Sequence, residues 1–239
     1  MSLKNSKIIV VKIGSSLLVD KNKKIRKKWL SSFAKDIKKL KDKNQKLVIV
    51  SSGAIALGCK KMNINKKTIK LDKSQAIASI GQIELMNLFS QTFKKYKLNI
   101  SQILLTLEDT EERRRSLNAK RTFENLFNLG FIPIVNENDP ISVTELMFTD
   151  NDELSGLIAS MVNSDALILL SNVDGVFSDH PKNIDAKLIE KIEVNDKEPE
   201  SGISREQSGF GRGGMITKFR IAQKVAGDGI AVHVANGTT

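Results

Sequence analysis

Short apolar runs, almost uninterrupted, recur along this chain with helix-patterned sequence between them, and that alternation leaves few architectures open. Strands are predicted over residues 7–12, 47–50, 100–105, 131–135, 166–170 and 230–234. Between them, residues 26–43 carry Leu30, Phe33, Ile37 and Leu40 at helical spacing, and further helices are predicted over 74–96, 116–129, 151–162 and 217–226. A strand that is apolar at successive positions has both faces buried, and strands joined through helices run parallel, so the pattern predicts a mostly parallel sheet covered on both sides. The polar, acidic stretch 136–152 is read as a site interrupted by a short hairpin near 141–148. The charged, loop-rich stretch 177–210 is read as holding one more strand near 188–194. A length of 239 residues suits one large α/β domain better than two small ones.

In such a sheet, ligands collect beyond the carboxyl ends of the strands. Gly14-Ser15, Ser52-Gly53, Asn136 to Asp139 and Ser171-Asn172 all follow predicted strands, so they are expected to line one crevice despite their separation in sequence. Two lysines stand near glycines toward opposite ends of the chain: Lys12 in Val11-Lys12-Ile13-Gly14-Ser15-Ser16, and Lys218 in Gly211-Arg212-Gly213-Gly214-Met215-Ile216-Thr217-Lys218. Glycine lets backbone N–H groups approach a phosphate closely, and a lysine ammonium neutralises charge that moves during phosphoryl transfer. Taken alone, Lys12 would read as a strand-end lysine reaching solvent; Ser15, Ser52 and Gly53 offset this with nearby donors suited to an anion. Neither segment is a P-loop, whose lysine directly follows a glycine and precedes Ser or Thr.

Other patterns are weaker. Gly209-Phe210-Gly211-Arg212-Gly213-Gly214 has the form of the dinucleotide fingerprint, but polar, turn-like sequence precedes it where that fingerprint needs a strand; it is read as a phosphate loop ahead of a helix. Asp150-Asn151-Asp152 opens like a calcium loop and fails at Leu154, while Asp and Asn there also suit a helix N-cap, a role compatible with function. The two histidines, His180 and His233, are isolated. A kinase acting on an alcohol usually needs a base for the hydroxyl proton. A carboxylate acceptor, with a pKa of about 4.3, is already ionised at neutral pH. The obstacle is then the approach of two anions, which lysines and N–H groups relieve.

The formal charge of +11 raises nucleic acid as a partner. The lysines are spread over most of the length, however, and ten Phe, one Tyr and one Trp offer few stacking platforms, so solvated helix faces are the preferred reading and no nucleic-acid partner is expected. Cys59 is the sole cysteine, which excludes an internal disulfide and multi-cysteine zinc sites. No run approaches the roughly 20 apolar residues of a membrane span, and the N-terminus lacks a signal-peptide pattern. A soluble, cytoplasmic protein without a membrane partner is expected.

Five strings together resemble the amino acid kinase family, in particular its branch that phosphorylates the side-chain carboxylate of L-glutamate at the start of proline biosynthesis. They are the two lysine strings above, Val50-Ser51-Ser52-Gly53-Ala54-Ile55-Ala56, Val135-Asn136-Glu137-Asn138-Asp139 and Asp150-Asn151-Asp152-Glu153-Leu154-Ser155. The resemblance covers nearly the whole chain and implies a three-layer α/β/α sandwich with a mainly parallel central sheet. Residues 1–239 would form one kinase domain, with the glutamate and phosphoryl site in the N-terminal part and the ATP site in the C-terminal part. It implies that Lys12 and Lys218 stabilise charge on the transferring phosphoryl group and that Asp152 orients them. Ser52, Gly53, Asp139, Asn151 and Asn136 would hold glutamate. Lys12, Gly14, Ser15, Ser171, Asn172, Arg212, Gly213, Gly214, Met215, Ile216, Thr217 and Lys218 would contact ATP, with Mg2+ held by its phosphates and no protein ligand assigned to the metal. Homo-oligomers (dimers or tetramers) and inhibition by proline are further implications. Asn172 stands where the family commonly has Asp, Arg212 where it commonly has Thr, and Pro140 would stiffen the loop after Asp139. The expectation includes a kinase domain without the C-terminal PUA module that many members carry. Kinases of this fold acting on aspartate, N-acetylglutamate, carbamate or UMP stay open, as does a non-catalytic nucleotide- or RNA-binding protein.

Overall fold

The computed structural model describes residues 3–20, 24–64, 71–142, 148, 150–178, 186–197 and 215–238. In chain order the elements are β1 (Ile8–Ile13), α1 (Ser15–Leu18), α2 (Lys27–Lys41), β2 (Lys46–Ser51), α3 (Ala54–Lys61), α4 (Leu71–Lys94), β3 (Ile100–Leu105), α5 (Leu107–Glu111), α6 (Arg113–Asn128) and β4 (Ile132–Glu137). They continue with α7 (Asn151–Met161), β5 (Ala166–Ser171), β6 (Val176–Phe177), β7 (Leu188–Ile189), α8 (Met215–Gly227) and β8 (Ala231–Asn236). Six strands form one parallel sheet in the order β3-β4-β2-β1-β5-β8.

Alternation along β1 explains the three layers. Ile9, Val11 and Ile13 pack with Leu30, Phe33 and Ile37 of α2 and with Leu85, Phe89 and Phe93 of α4. Val10 packs on the opposite side, with Phe123 of α6, Leu154 and Ile158 of α7 and Ile221 and Val225 of α8. Because side chains alternate with period two, Lys12 shares the face of Val10 and turns toward α7 and α8. Its strand is central, with Lys12 opposite Val50 of β2 and Leu169 of β5. A charged residue is thereby delivered into a buried layer, and only a partner on the covering helices can make that tolerable.

The strand expected over 188–194 is corrected to Leu188–Ile189, which pairs antiparallel with Val176–Phe177 outside the main sheet. Beyond Ile189 the exposed Glu190, Lys191 and Glu193 meet no partner strand among the described residues, and alternating polarity alone does not make a strand. Positions 143–147 of the expected hairpin, Thr149, His180, and Gly209 to Gly214 lie outside the described residues. Among the described residues, no helix is long and apolar enough to cross a membrane.

Two glycines set how closely α3 lies against α4. A Cβ on Gly81 would sit 1.8 Å from the carbonyl oxygen of Ala54, and one on Gly58 would sit 2.1 Å from that of Ile77. Both contacts are with backbone, which cannot rotate away. Gly81→Ala is therefore expected to cost about 3 kcal/mol, the upper end of overpacking, read as a lowered denaturation midpoint. An unchanged midpoint would show that the two helices separate freely.

Candidate active site

The carboxyl edge of the sheet gathers the strand-end segments. Gly14 follows β1 and precedes α1, and its N–H donates to the carbonyl of Leu170 in the neighbouring β5 at 3.3 Å. At the end of β2, Ser52 N–H donates to the carbonyl of Ile13 at 3.3 Å. Gly53 then turns the chain into α3 with φ of 117°, a conformation that a side chain would strain. Asp139 lies in the turn after β4, and Asn172 is exposed after β5. Ser171 closes its own turn, its hydroxyl accepting from Val173 N–H at 3.2 Å.

Helix α7 enters this edge through a cap. Asp150 is extended at the N-cap, and its Oδ1 accepts from the N–H groups of Asp152 at 2.7 Å and Glu153 at 3.0 Å. This satisfies two of the donors that a helix start leaves open, and it aims the first turn of α7 at β1. Asp152 is fully buried. One of its oxygens contacts Lys12 Nζ, and the other accepts from Lys218 Nζ at 2.9 Å. Lys12 and Lys218 are themselves buried. Lys218 reaches the pair from the first turn of α8, which packs beside α7 through Ile221 and Val225 against Gly156.

The electrostatics follow from this arrangement. Burial opposes ionisation of Asp152, but the two ammonium groups together outweigh it and hold its carboxyl below the ordinary aspartate range. Asp150 moves the other way: burial, and then the neighbouring Asp152 carboxylate, push it up despite its helix N–H bond and the lysines. One carboxylate, Asp152, bridges the two ammonium groups, and the upward shift of Asp150 limits how far a second carboxylate offsets their charge toward an incoming anion. Each lysine also keeps N–H donors that Asp152 does not use.

A second cluster consists of amides. Asn151 Nδ2 donates to the main-chain carbonyl of Ser51 and to Asn136 Oδ1, both at 2.9 Å. Asn136 Nδ2 in turn donates to Gln82 Oε1 at 2.8 Å. Nearby, Glu137 accepts from the N–H of Phe148 at 3.3 Å. Lys12, Lys218 and Asp152 thus make one connected group, and Asn136 and Asn151 another. Gly14, Ser15, Ser52, Gly53, Asp139, Ser171 and Asn172 sit on the surrounding strand ends, and Met215, Ile216 and Thr217 open α8. Arg212, Gly213 and Gly214 lie outside the described residues. The sequence reading did not single out Gln82. A glutamine inside a long helix is ordinary, and only its place beside Gly81 hinted at a packed position. His233 lies within β8, where burial lowers its pKa, apart from both clusters.

The amino acid kinase family model matches residues 7–236. A glutamate 5-kinase of Pelagibacter ubique (strain HTCC1062) is 60% identical over 238 residues, covering 99% of this chain and 65% of its own length. A glutamate 5-kinase of Ruegeria sp. (strain TM1040) is 41% identical over 239 residues, with 99% and 65% covered. The chain thus spans 65% of the length of these two relatives. Among solved structures, T. acidophilum isopentenyl phosphate kinase superposes with a TM-score of 0.66 at 16% identity, covering 97% of this chain and 92% of that one. UMP kinase of Bacillus anthracis superposes with a TM-score of 0.62 at 19% identity, covering 98% and 88%. At these identities the two structures speak for the fold alone.

Proposed function

The chain belongs to the amino acid kinase family, and from that membership we propose that it transfers the γ-phosphoryl group of ATP to the side-chain carboxylate of L-glutamate, giving L-glutamyl 5-phosphate and ADP. The observation that carries this reading is the buried Asp152 shared by Lys12 and Lys218. The similarity to glutamate 5-kinases supplies the substrate.

In this proposal a glutamate carboxylate oxygen attacks the γ-phosphorus in line. The new O–P bond forms as the bond to the β,γ-bridging oxygen breaks, and that oxygen leaves with the electron pair on ADP. No proton moves, because the acceptor is already ionised, so no base is needed. The work lies in holding two anions together and neutralising the charge that shifts to the leaving group. Lys12 and Lys218 do this at the phosphoryl oxygens, and Asp152 keeps both ammonium groups in place before substrate arrives. Ser52, Gly53, Asn136 and Asn151 hold glutamate, with Asp139 facing its ammonium group. Gly14, Ser15, Ser171, Asn172 and the segment from Arg212 to Thr217 hold the nucleotide. Both Asp152 oxygens are taken by lysines, so Asp152 would not hold Mg2+; an ion carried on the ATP phosphates would supply further charge neutralisation, with no protein ligand assigned to it.

The reading extends to a single kinase domain over residues 1–239, a cytoplasmic location, a role at the start of proline biosynthesis, inhibition by proline at a site overlapping that of glutamate, and a dimer or tetramer. ADP release measured across glutamate, aspartate, N-acetylglutamate, carbamate and UMP tests it. Turnover is expected with glutamate above all others. A preference for N-acetylglutamate, whose amine carries no charge for Asp139 to meet, would overturn the assignment.

A further inference from the structure

Gln82 lies in the middle of α4, 9% exposed, in a helix that otherwise buries Ile77, Ala78, Leu85 and Phe89. Its Oε1 accepts from Asn136, whereas its buried Nε2 has no partner. A donor left unmatched in the interior destabilises the fold, and methionine would fill a similar volume without that cost. Packing therefore does not account for an amide here. The bond to Asn136 does.

An amide side chain can face either way, and its neighbours decide which. Because Gln82 offers Asn136 an acceptor, Asn136 turns its Nδ2 toward Gln82 and its Oδ1 toward Asn151. Asn151 then meets two acceptors, Asn136 Oδ1 and the immovable carbonyl of Ser51, and both of its N–H bonds are used. What remains is Asn151 Oδ1, a pure acceptor, on a half-buried side chain one residue before Asp152. A carbonyl oxygen suits an ammonium group and repels a carboxylate.

We propose that Gln82 is a positioning residue that, through Asn136, fixes Asn151 with its carbonyl oxygen toward the substrate, so that the site selects acceptors carrying a free amino group next to the dicarboxylate skeleton. This inference rests on the glutamate reading above. Without the Gln82 oxygen, Asn136 is free to turn its Nδ2 toward Asn151, which sets that contact against the Asn151 bond to the Ser51 carbonyl and loosens the orientation of the Asn151 amide.

The test compares L-glutamate with glutarate, the same dicarboxylate lacking the amine, in the wild-type chain and in Gln82→Met and Gln82→Glu. Gln82→Met is expected to lower kcat/KM for glutamate about tenfold, through KM, with kcat within about twofold and glutarate unaffected. Gln82→Glu keeps an acceptor oxygen in place and is expected to hold the glutamate-to-glutarate ratio within about threefold of wild type. An unchanged ratio in Gln82→Met overturns the proposal, as does an equal loss on both substrates, which marks a merely structural role. Should Gln82→Met fail to fold, Gln82→Leu takes its place with the same expected loss on glutamate alone, and an unchanged ratio in that variant, or a collapsed one in Gln82→Glu, overturns the relay. Wild-type turnover is a separate readout. An active wild type with an unaltered Gln82→Met ratio sinks only the relay, whereas a wild type inactive on glutamate sinks the relay and the glutamate reading together.

Discussion

Replacing Lys218 by alanine is expected to lower kcat on the order of 10³-fold while changing the KM for glutamate little, the pattern of a charge that matters in the transition state and not in the ground state. Lys218 is buried against Asp152 from the first turn of α8, so its position is set before any substrate binds. Its stem spans from the helix to the carboxylate, and among the described residues no other side chain is paired with that second oxygen. In the variant, Lys12 still pairs with Asp152, so the carboxylate is not stranded and the protein folds. What disappears is half of the positive charge opposed to the migrating phosphoryl group. Steady-state kinetics with varied glutamate and varied ATP check this directly. A rise in KM that accounts for the whole loss of kcat/KM would remove Lys218 from the transition state and leave it a binding residue.

Asp152→Asn is expected to act on stability as well as on turnover. Asparagine preserves the shape but removes the one anion between two buried ammonium groups, and breaking a buried ionic network from one side costs about 3–5 kcal/mol. In a chain of this size that is roughly 10 °C in Tm. Turnover should fall at least about 10²-fold, because the lysines lose the group that holds them toward each other. The pH dependence has a definite sign. The folded-state pKa of Asp152 lies below its unfolded value of about 3.9, so its contribution is fully present above that value and is lost as pH falls through the folded pKa. The stability gap between wild type and Asp152→Asn should therefore be constant near neutrality and narrow in acid below about pH 4. Asp150, raised in the folded state, works in the opposite sense: protonating it just above the unfolded value favours the fold and partly offsets the loss. Denaturant titrations at pH 7 and in acid measure the gap. A gap that widens in acid would contradict the ionic account of Asp152.

Most of the architecture was legible because its signals are local. The apolar runs at Ile9 to Val11 and Leu47 to Val50 are buried strand cores, as are Leu167 and Leu169 on either side of the half-buried Ile168, and Ile100–Leu105 has the bounds its pattern predicts. The spacing of Leu30, Phe33 and Ile37 places them on the buried side of α2. Asp150 does serve as an N-cap, as its residue type suggests. The short helices α1 and α5 escaped notice because four and five residues give too few turns for a period to show. The strand expected over 188–194 failed for a related reason, since pairing depends on a neighbour that the pattern does not name.

Sequence by itself therefore determined the layers, the direction of the strands and the edge of the sheet where polar residues gather, since periodicity and turn chemistry act over a few residues. It also marked Lys12 and Lys218 as a pair suited to a phosphate, and the family resemblance added Asp152 as the residue that orients them. Only the tertiary structure decided that Asp152 meets a lysine 66 positions later and another far earlier in the chain, and that all three are out of water. It alone joined Gln82 to Asn136 across 54 positions and so gave an ordinary helical glutamine a task. Burial and hydrogen-bond direction arise from which helices pack over which strands, a property of the whole chain at once, and no local pattern carries it.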